Sequence, residues 1–271
     1  MSNLEKISKA EANKMARVYR RQEKIIKDKL QTAIERGNDT TYLKQVQSQI
    51  NKEIKVLQVY TKEFSGKRLK SVYDKQSEAV DANIEEFDAK FDVTSSFGRV
   101  DDRAIQILAE NTSKNYAKVN LAIGRQSQDF LRKVGLKATS GVVFGSDTWQ
   151  QAARNLTKEL KANNFLHVKY KRKDGGYRKV PADTYAQMVA RTTTAEAHRL
   201  ATSERIQAWG YDLVDVIGKS RFPESPCIPY QGKTLSLSGK TEGYTSLEEA
   251  RSNGYNHPNC IHSNNFSEKN L

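Results

Sequence analysis

The sequence has 271 residues, of which 37% are hydrophobic and 28% are charged, and its mean hydropathy is −0.75. This composition is too polar for one thick globular core and is typical of long helices with exposed faces. The sequence contains no apolar run of about 18 residues, and therefore predicts no membrane span. Its N-terminus lacks the apolar stretch of a secretory signal. Two cysteines are too few for a disulfide framework, which favours a reducing compartment.

The positive charge is concentrated in the first two thirds of the chain. Residues 1–180 hold 36 Lys and Arg against 22 Asp and Glu, a net charge of +14, whereas residues 181–271 hold 9 against 10. A basic surface attracts polyanions without base specificity, because binding releases counterions. A lysine-rich, solvated helix surface explains the same charge, so composition alone leaves both interpretations open.

The N-terminal region, residues 1–98, is predicted to be a long helical hairpin. Apolar residues recur at helical spacing over 4–36 and again over 41–90, with a turn between them and a kink or break at Gly66. The second segment has one apolar stripe, formed by Val46, Ile50, Ile54, Leu57 and Phe64. Two amphipathic helices joined by a short turn indicate an antiparallel pair.

The middle region, residues 99–181, is predicted to be helical, with a basic β-hairpin at its end. Its helices are expected to reach Ala109, to cover about 113–134 and to start again near Asp147 after a loop over 135–145. Aromatic and β-branched residues then flank Asp174-Gly175-Gly176, which predicts a two-stranded hairpin. Six basic residues of this hairpin form a candidate phosphate-backbone contact: Lys169, Lys171, Arg172, Lys173, Arg178 and Lys179. Charged strands that resist aggregation are the alternative interpretation.

The C-terminal region, residues 182–271, is predicted to be a small α+β domain. A helix from Pro181 to about Gly210 precedes strands near 212–217 and 231–238 and a short helix at 247–251. The overall fold class is therefore mainly α, with a small α+β end.

Several C-terminal motifs, taken in order, carry a resemblance to a known family. They are Arg191-Thr192-Thr193, Trp209-Gly210-Tyr211-Asp212-Leu213-Val214, Pro226-Cys227-Ile228-Pro229-Tyr230-Gln231-Gly232-Lys233, Ser236-Leu237-Ser238-Gly239, Tyr244-Thr245-Ser246-Leu247-Glu248-Glu249-Ala250 and His257-Pro258-Asn259-Cys260-Ile261-His262-Ser263. Together they resemble the minor capsid protein 2 family of tailed phages, which is similar to the wider Mu-F-like head morphogenesis group. The resemblance covers about residues 185–263. The sequence departs from it at Ile261, where the family often has Arg, and at Cys227, which lacks a second nearby cysteine.

The resemblance implies a minor capsid protein inside the phage head, assembled in the host cytoplasm. It implies docking to the portal or the major capsid protein, non-specific contact with double-stranded DNA, and action at packaging or ejection, with no membrane partner. An ejected effector enzyme such as a nuclease is the alternative function, and a helical adaptor without a DNA role is a third.

Four residues near the C-terminus are candidate metal ligands: Cys227, His257, Cys260 and His262. Zinc prefers four Cys or His ligands, so a structural zinc is one expectation and no other cofactor is expected. A buried cysteine that acts only as a small hydrophobe, or a simple clasp between the cysteines, is the alternative. A disulfide fits poorly with assembly in the cytosol.

The sequence predicts no catalytic residue. A Cys227 nucleophile with a histidine base is formally available, but nothing beside Cys227 would depress its pKa. A metal-dependent nuclease would need carboxylates near the histidines, and residues 252–266 contain none. Glu196 and Arg199 are three residues apart, which indicates an ion pair on one helix face.

Overall fold

The computed structural model describes residues 3–36, 39–91, 93, 97–98, 102–144, 149–162, 165–171, 175–220, 222–258 and 260–270. Over these ranges the protein is mainly α-helical, with two small antiparallel sheets in its C-terminal half. This confirms the predicted fold class. None of the helices in the described ranges has the length and apolar character needed to cross a membrane.

Long helices account for most of the first 161 residues. They are α1 (Asn3–Glu35), α2 (Thr40–Glu63), α3 (Leu69–Phe91), α4 (Arg103–Phe144) and α5 (Trp149–Lys161). The helix does not break at Gly66, because a π-helical turn, Phe64–Arg68, joins α2 directly to α3, and the alternative of a kink stays a prediction. A π-turn inserts an extra residue into the helix without ending it.

The middle of the chain differs from the prediction, because α4 is one helix of 42 residues. The prediction of a loop over 135–145 was wrong for residues 135–144, which are helical. Residue 145 lies outside the described ranges. A Cβ on Gly124 would lie 3.2 Å from Cδ1 of Ile54, and one on Gly135 would lie 3.4 Å from Cδ1 of Leu43. These glycines therefore let α2 approach α4 closely, and this packing outweighs their weak helix propensity.

In the described ranges, the C-terminal half of the chain contains five strands and two more α-helices. The strands are β1 (His167–Lys171), β2 (Tyr177–Pro181), β3 (Leu213–Ile217), β4 (Thr234–Ser236) and β5 (Ser263–Phe266), and the helices are α6 (Ala182–Ala208) and α7 (Leu247–Ser252). β1 and β2 form an antiparallel ribbon, as predicted. β3 is the centre of a three-stranded antiparallel sheet of order β4-β3-β5, in which β5 was not predicted as a separate strand.

The chain divides into two compact units, each built from separated segments. Unit 1 contains residues 1–12, 63–112 and 188–271, and unit 2 contains residues 13–62 and 113–187. The three consecutive domains expected from the sequence, 1–98, 99–181 and 182–271, stay a prediction of domain boundaries.

Unit 2 is a helical assembly with a polar centre. Lys29 of α1 lies 3.2 Å from Gln49 Oε1 of α2, which fits the predicted antiparallel pair. The Tyr19 hydroxyl donates to Asn120 Oδ1 at 2.8 Å, and Asn120 Nδ2 donates to Thr61 Oγ1 at 3.4 Å. All three side chains are buried. Three helices thus share one buried hydrogen-bonded chain, which requires a specific packing arrangement.

Unit 1 is built around an apolar core between α3, α6 and the three-stranded sheet. The core includes Val80, Ile84, Ile206, Val214, Val216, Cys227, Leu235, Leu247, Ala250, Tyr255 and Cys260. Aspartates of α3 surround it, with Asp81 accepting from Trp209 Nε1 at 2.9 Å and from Arg205, and Asp88 accepting from the Tyr211 hydroxyl. Both cysteines of the chain therefore belong to a packed core.

Candidate metal centre and nucleic-acid interface

Two cysteines and a histidine converge in unit 1. Cys227 Sγ lies 3.3 Å from His257 Nε2, and the Cys260 thiol completes a group whose three ligand atoms all lie within 4.8 Å of one another. Cys227 and Cys260 are buried, whereas His257 is half-buried. We call Cys227, His257 and Cys260 the Cys–His cluster.

The tautomer of His257 follows from its neighbours. Its Nδ1 lies 2.8 Å from the carbonyl oxygen of Pro258, which can only accept, so Nδ1 carries the proton. In the neutral ring, Nε2 then presents its lone pair to the Cys227 thiol. The Ser225 hydroxyl also lies there, 2.9 Å from His257 Nε2 and 3.1 Å from Cys227 Sγ.

A close backbone approach brings the two halves of the cluster together. Gly254 follows α7 with φ of +101°, and a Cβ at this position would lie only 2.6 Å from Cβ of Pro226. Any larger residue at 254 would push the segment before Cys227 away from the segment that carries His257. Asn256 also has a positive φ of 59°, which turns the chain toward His257.

Arg199 of α6 fixes the segment before β5 that carries Cys260. Its guanidinium is 4% exposed, and it donates to the Cys260 carbonyl at 2.9 Å and to the His262 carbonyl at 2.9 and 2.7 Å. The ion pair predicted with Glu196 is therefore not the main role of Arg199. Burial raises the pKa of the Cys260 thiol, although the nearby Arg199 charge acts in the opposite direction.

His262 is next to the cluster but is not a member of it. Its ring is fully buried, with Nδ1 3.4 Å from Cys260 Sγ and Nε2 3.4 Å from Gln231 Oε1. The Ser220 backbone N–H donates to the same Gln231 oxygen at 3.1 Å, which identifies it as an acceptor. Nε2 of His262 therefore carries its proton, and burial lowers the pKa of this imidazole.

The Cys–His cluster forms part of the wall of a cavity of about 260 Å³. The other lining residues are Glu5, Lys9, Arg191, Ser220, Phe222, Ser225 and Ile261. The cluster is thus accessible from a small space that contains charges of both signs.

The basic ribbon formed by β1 and β2 is the second candidate site. Lys169 pairs with Lys179, and Lys171 pairs with Tyr177. Cross-strand partners and alternate residues share a face, so these four side chains lie on one face of the ribbon. All four are exposed, and Tyr177 is 73% exposed. The arrangement combines three ammonium groups with an aromatic ring that is free to stack.

The other face of the ribbon packs onto unit 2. Val168 is buried, and the Tyr170 ring lies 6.2 Å from the Tyr185 ring of α6. The side-chain amide of Gln126 binds both backbone groups of His167, at 2.6 and 2.9 Å, and so holds the edge of β1. Arg178 is exposed on this second face, while the predicted contacts Arg172 and Lys173 lie outside the described residues.

A comparison with protein families decides the identity of the chain. A family model described as "Phage minor capsid protein 2" matches residues 5–266. The chain belongs to the phage minor capsid protein 2 family. No curated protein and no solved structure matched the sequence.

The family match extends far beyond the C-terminal motifs of this minor capsid protein. The sequence motifs indicated the family over about 185–263, whereas the match also includes nearly all of the helical region before them. Both units are therefore parts of the family's structure. Membership of a capsid family also favours a structural role over an enzymatic one.

The net charges of the two units of the minor capsid protein differ more than the net charges of residues 1–180 and 181–271 do. Unit 2 has 27 Lys and Arg against 10 Asp and Glu, a net charge of +17. Unit 1 has 18 against 22, a net charge of −4. The net positive charge of the protein thus belongs entirely to the unit that carries the ribbon.

Sequence reasoning missed two residues that shape the Cys–His cluster. Arg199 acts on backbone carbonyls, which leave no trace in the spacing of residue types. Ser225 was visible only as part of a proline-flanked turn. Its separation of two residues from Cys227 was the one signal that could have suggested a shared site.

Proposed function

We propose that the protein is a non-enzymatic, internal component of the phage head. It docks to the portal or to the inner face of the capsid and contacts the packaged double-stranded DNA without sequence specificity. Family membership supports a place in the virion. The observation that carries the DNA contact is the segregation of charge, with +17 in unit 2 and −4 in unit 1. A polyanion neutralises such a surface through counterion release.

The basic ribbon is the proposed point of contact. Its three lysines and Tyr177 lie on one exposed face, so phosphates can meet the ammonium groups while a deoxyribose packs against the ring. Arg178 is exposed on the opposite face of the ribbon and adds to the local positive charge, and Arg172 and Lys173 follow β1 in the sequence. DNA contact of this kind suits action during packaging or ejection, when duplex moves past the protein.

Binding to a mixed-sequence duplex at several salt concentrations tests the DNA contact. We expect a steep loss of affinity with salt and little dependence on sequence. The salt slope is the slope of the logarithm of the binding constant against the logarithm of the salt concentration. We expect its magnitude to fall by about 3 to 4 when Gln replaces Lys169, Lys171, Arg178 and Lys179, because each lost phosphate contact removes about 0.9.

A matched control removes the same charge from unit 1. It replaces the exposed residues Lys67, Lys75, Lys233 and Lys240 with Gln and should leave the slope nearly unchanged. Equal losses in both variants would refute the ribbon as the contact. No binding by the intact protein would favour an adaptor without a DNA role.

The same samples test the alternative function of an ejected nuclease. The duplex should remain intact after incubation with the protein and divalent cations. Cleavage that disappears in His257→Ala would overturn the non-enzymatic role.

Imaging of phage particles tests the location. Particles assembled with and without the protein should differ by density inside the shell, beside the portal or on the inner capsid surface. Difference density on the outer surface would contradict an internal position.

A further inference from the structure

We propose that the Cys–His cluster is a zinc site with three protein ligands, and that its fourth coordination position faces the adjoining cavity. The ligands are the thiolates of Cys227 and Cys260 and Nε2 of His257. Zinc is favoured over hard cations because thiolate and imidazole are soft or borderline ligands. This proposal stands on unit 1 alone and does not depend on DNA contact by unit 2.

The spacing of the donor atoms fits a tetrahedral ion. Zinc binds sulfur at about 2.3 Å and nitrogen at about 2.0 Å, so neighbouring S and N ligands lie about 3.5 Å apart. Cys227 Sγ and His257 Nε2 are 3.3 Å apart, and all three ligand atoms lie within 4.8 Å of one another. Small side-chain movements would therefore bring all three to bonding distance of one ion.

The surrounding hydrogen bonds already orient the ligands. The Nδ1–H of His257 is bound to the Pro258 carbonyl at 2.8 Å, which leaves Nε2 as the ligand atom, as is usual for zinc-bound histidines. Arg199 holds the carbonyl of Cys260 at 2.9 Å, and Gly254 permits the close approach at Pro226. Both ligand-bearing segments are thus fixed by contacts that need no metal.

The fourth position is assigned by the cavity and by Ser225. The Ser225 hydroxyl lies within 3.1 Å of both Cys227 Sγ and His257 Nε2 and lines the same cavity as the three ligands. His262 Nδ1 lies 3.4 Å from Cys260 Sγ, but His262 does not belong to the group whose ligand atoms all lie within 4.8 Å of one another. A water molecule held by the Ser225 hydroxyl is therefore the expected fourth ligand, and an exogenous ligand in the cavity can replace it.

Metal analysis of the full chain, purified without a histidine tag, tests the site. We expect one zinc per chain by elemental analysis, and loss of this zinc in Cys227→Ser, Cys260→Ser and His257→Ala. The matched control is His167→Ala, which removes a histidine of unit 2 and should retain the metal. Circular dichroism of each variant shows whether the helices remain folded.

Thiol titration gives a second readout that does not require a variant. In the zinc-bound chain both thiols should react slowly, and a chelator should release zinc and both thiols together. A folded chain that holds no zinc and shows two titratable thiols after unfolding would be a simple thiol–imidazole cluster and would overturn the proposal. Thiols that appear only after reduction would show a disulfide and would overturn it too.

Cobalt substitution of the wild-type chain tests the open position. Co²⁺ in a tetrahedral thiolate site gives intense visible bands, and we expect these bands to shift when azide is added. Either Cys→Ser variant should lose one thiolate contribution to the near-ultraviolet charge-transfer absorption. Visible bands that azide leaves unchanged would indicate a fourth protein ligand and refute the open position.

Discussion

Arg199 and the lysines of the basic ribbon show two different uses of positive charge in the same chain. In unit 1, Arg199 is almost completely buried and donates three hydrogen bonds to backbone carbonyls. In unit 2, Lys169, Lys171 and Lys179 share one exposed face of the ribbon. A buried cation contributes to the fold, whereas exposed cations contribute little to stability and remain available to a partner.

The same contrast extends to the two units as wholes. Unit 1, with a net charge of −4, contains the cysteines and a dense set of buried polar contacts. Unit 2, with +17, carries an excess of cations that raises its self-repulsion. We therefore expect substitutions in unit 1 to change stability and metal content, and substitutions of surface charge in unit 2 to change DNA binding.

Arg199→Met gives the largest expected effect on stability. It leaves the buried carbonyls of Cys260 and His262 without their donor, and should destabilise unit 1 by about 3 kcal/mol. Trp209 lies in unit 1 and Trp149 lies in unit 2. In a Trp149→Phe background, tryptophan fluorescence during denaturation therefore reports on the unfolding of unit 1.

Two controls sharpen this comparison. Arg251→Ala removes an exposed arginine of unit 1 and should change stability by no more than about 0.5 kcal/mol. The ribbon variant, with four charges removed, should be similarly neutral. If the ribbon variant loses as much stability as Arg199→Met, buried and exposed charges do not differ in their contribution to the fold.

The pH dependence of unit 1 is the second effect. Burial, together with Arg199, lowers the pKa of His198 to about 4, and no described residue bonds its buried Nδ1. Between pH 6.5 and 4 the unfolded chain therefore binds a proton at His198 that the folded chain does not. Stability falls as the pH drops through this window, by about 2 kcal/mol between pH 6.5 and 5.

His198→Leu should remove this contribution and flatten the stability of unit 1 in that pH window. His167→Gln, in unit 2, should leave the slope of unit 1 as it is. The assignment to His198 fails if the slope is the same in wild type and His198→Leu.

Tyr19→Phe is expected to have the smallest of these effects, in unit 2. The change removes the donor to Asn120 Oδ1, and an unsatisfied buried acceptor costs about 1 to 2 kcal/mol. Denaturation in a Trp209→Phe background, with Trp149 as the reporter, measures the change. The control, Tyr177→Phe, changes a side chain that is 73% exposed and should leave the stability of unit 2 unchanged. If it lowers the stability as much as Tyr19→Phe does, the buried polar centre of unit 2 is not specific.

The sequence predicted what depends on local pattern. The apolar stripe from Val46 to Phe64 is buried throughout, and β1 and β2 pair as an antiparallel ribbon as expected. The continuity of α4 through Gly135 was not predictable, because it depends on a close approach to Leu43 that is distant in sequence. The π-turn at Gly66 likewise differs from a break only through tertiary packing.

The candidate metal site was predicted in its residue types and only partly in its geometry. Cys227, His257 and Cys260 do meet, but His262 lies beside them on Gln231. Cys260 and His262 lie before β5 in a segment without regular secondary structure, so no helix or strand periodicity shows from the sequence which histidine meets the two cysteines. The contribution of Arg199 depends on the backbone of a segment about 60 residues away.

The interleaving of the two units has a consequence for the order in which they are completed during synthesis. Unit 2 has all of its residues once position 187 has been translated, whereas unit 1 needs residues 1–12 together with the segment from 188 onward. The basic unit can therefore mature first on the ribosome. The unit with the cysteines closes only when the last strand emerges, and a chain that stops early would expose the basic ribbon without the Cys–His cluster.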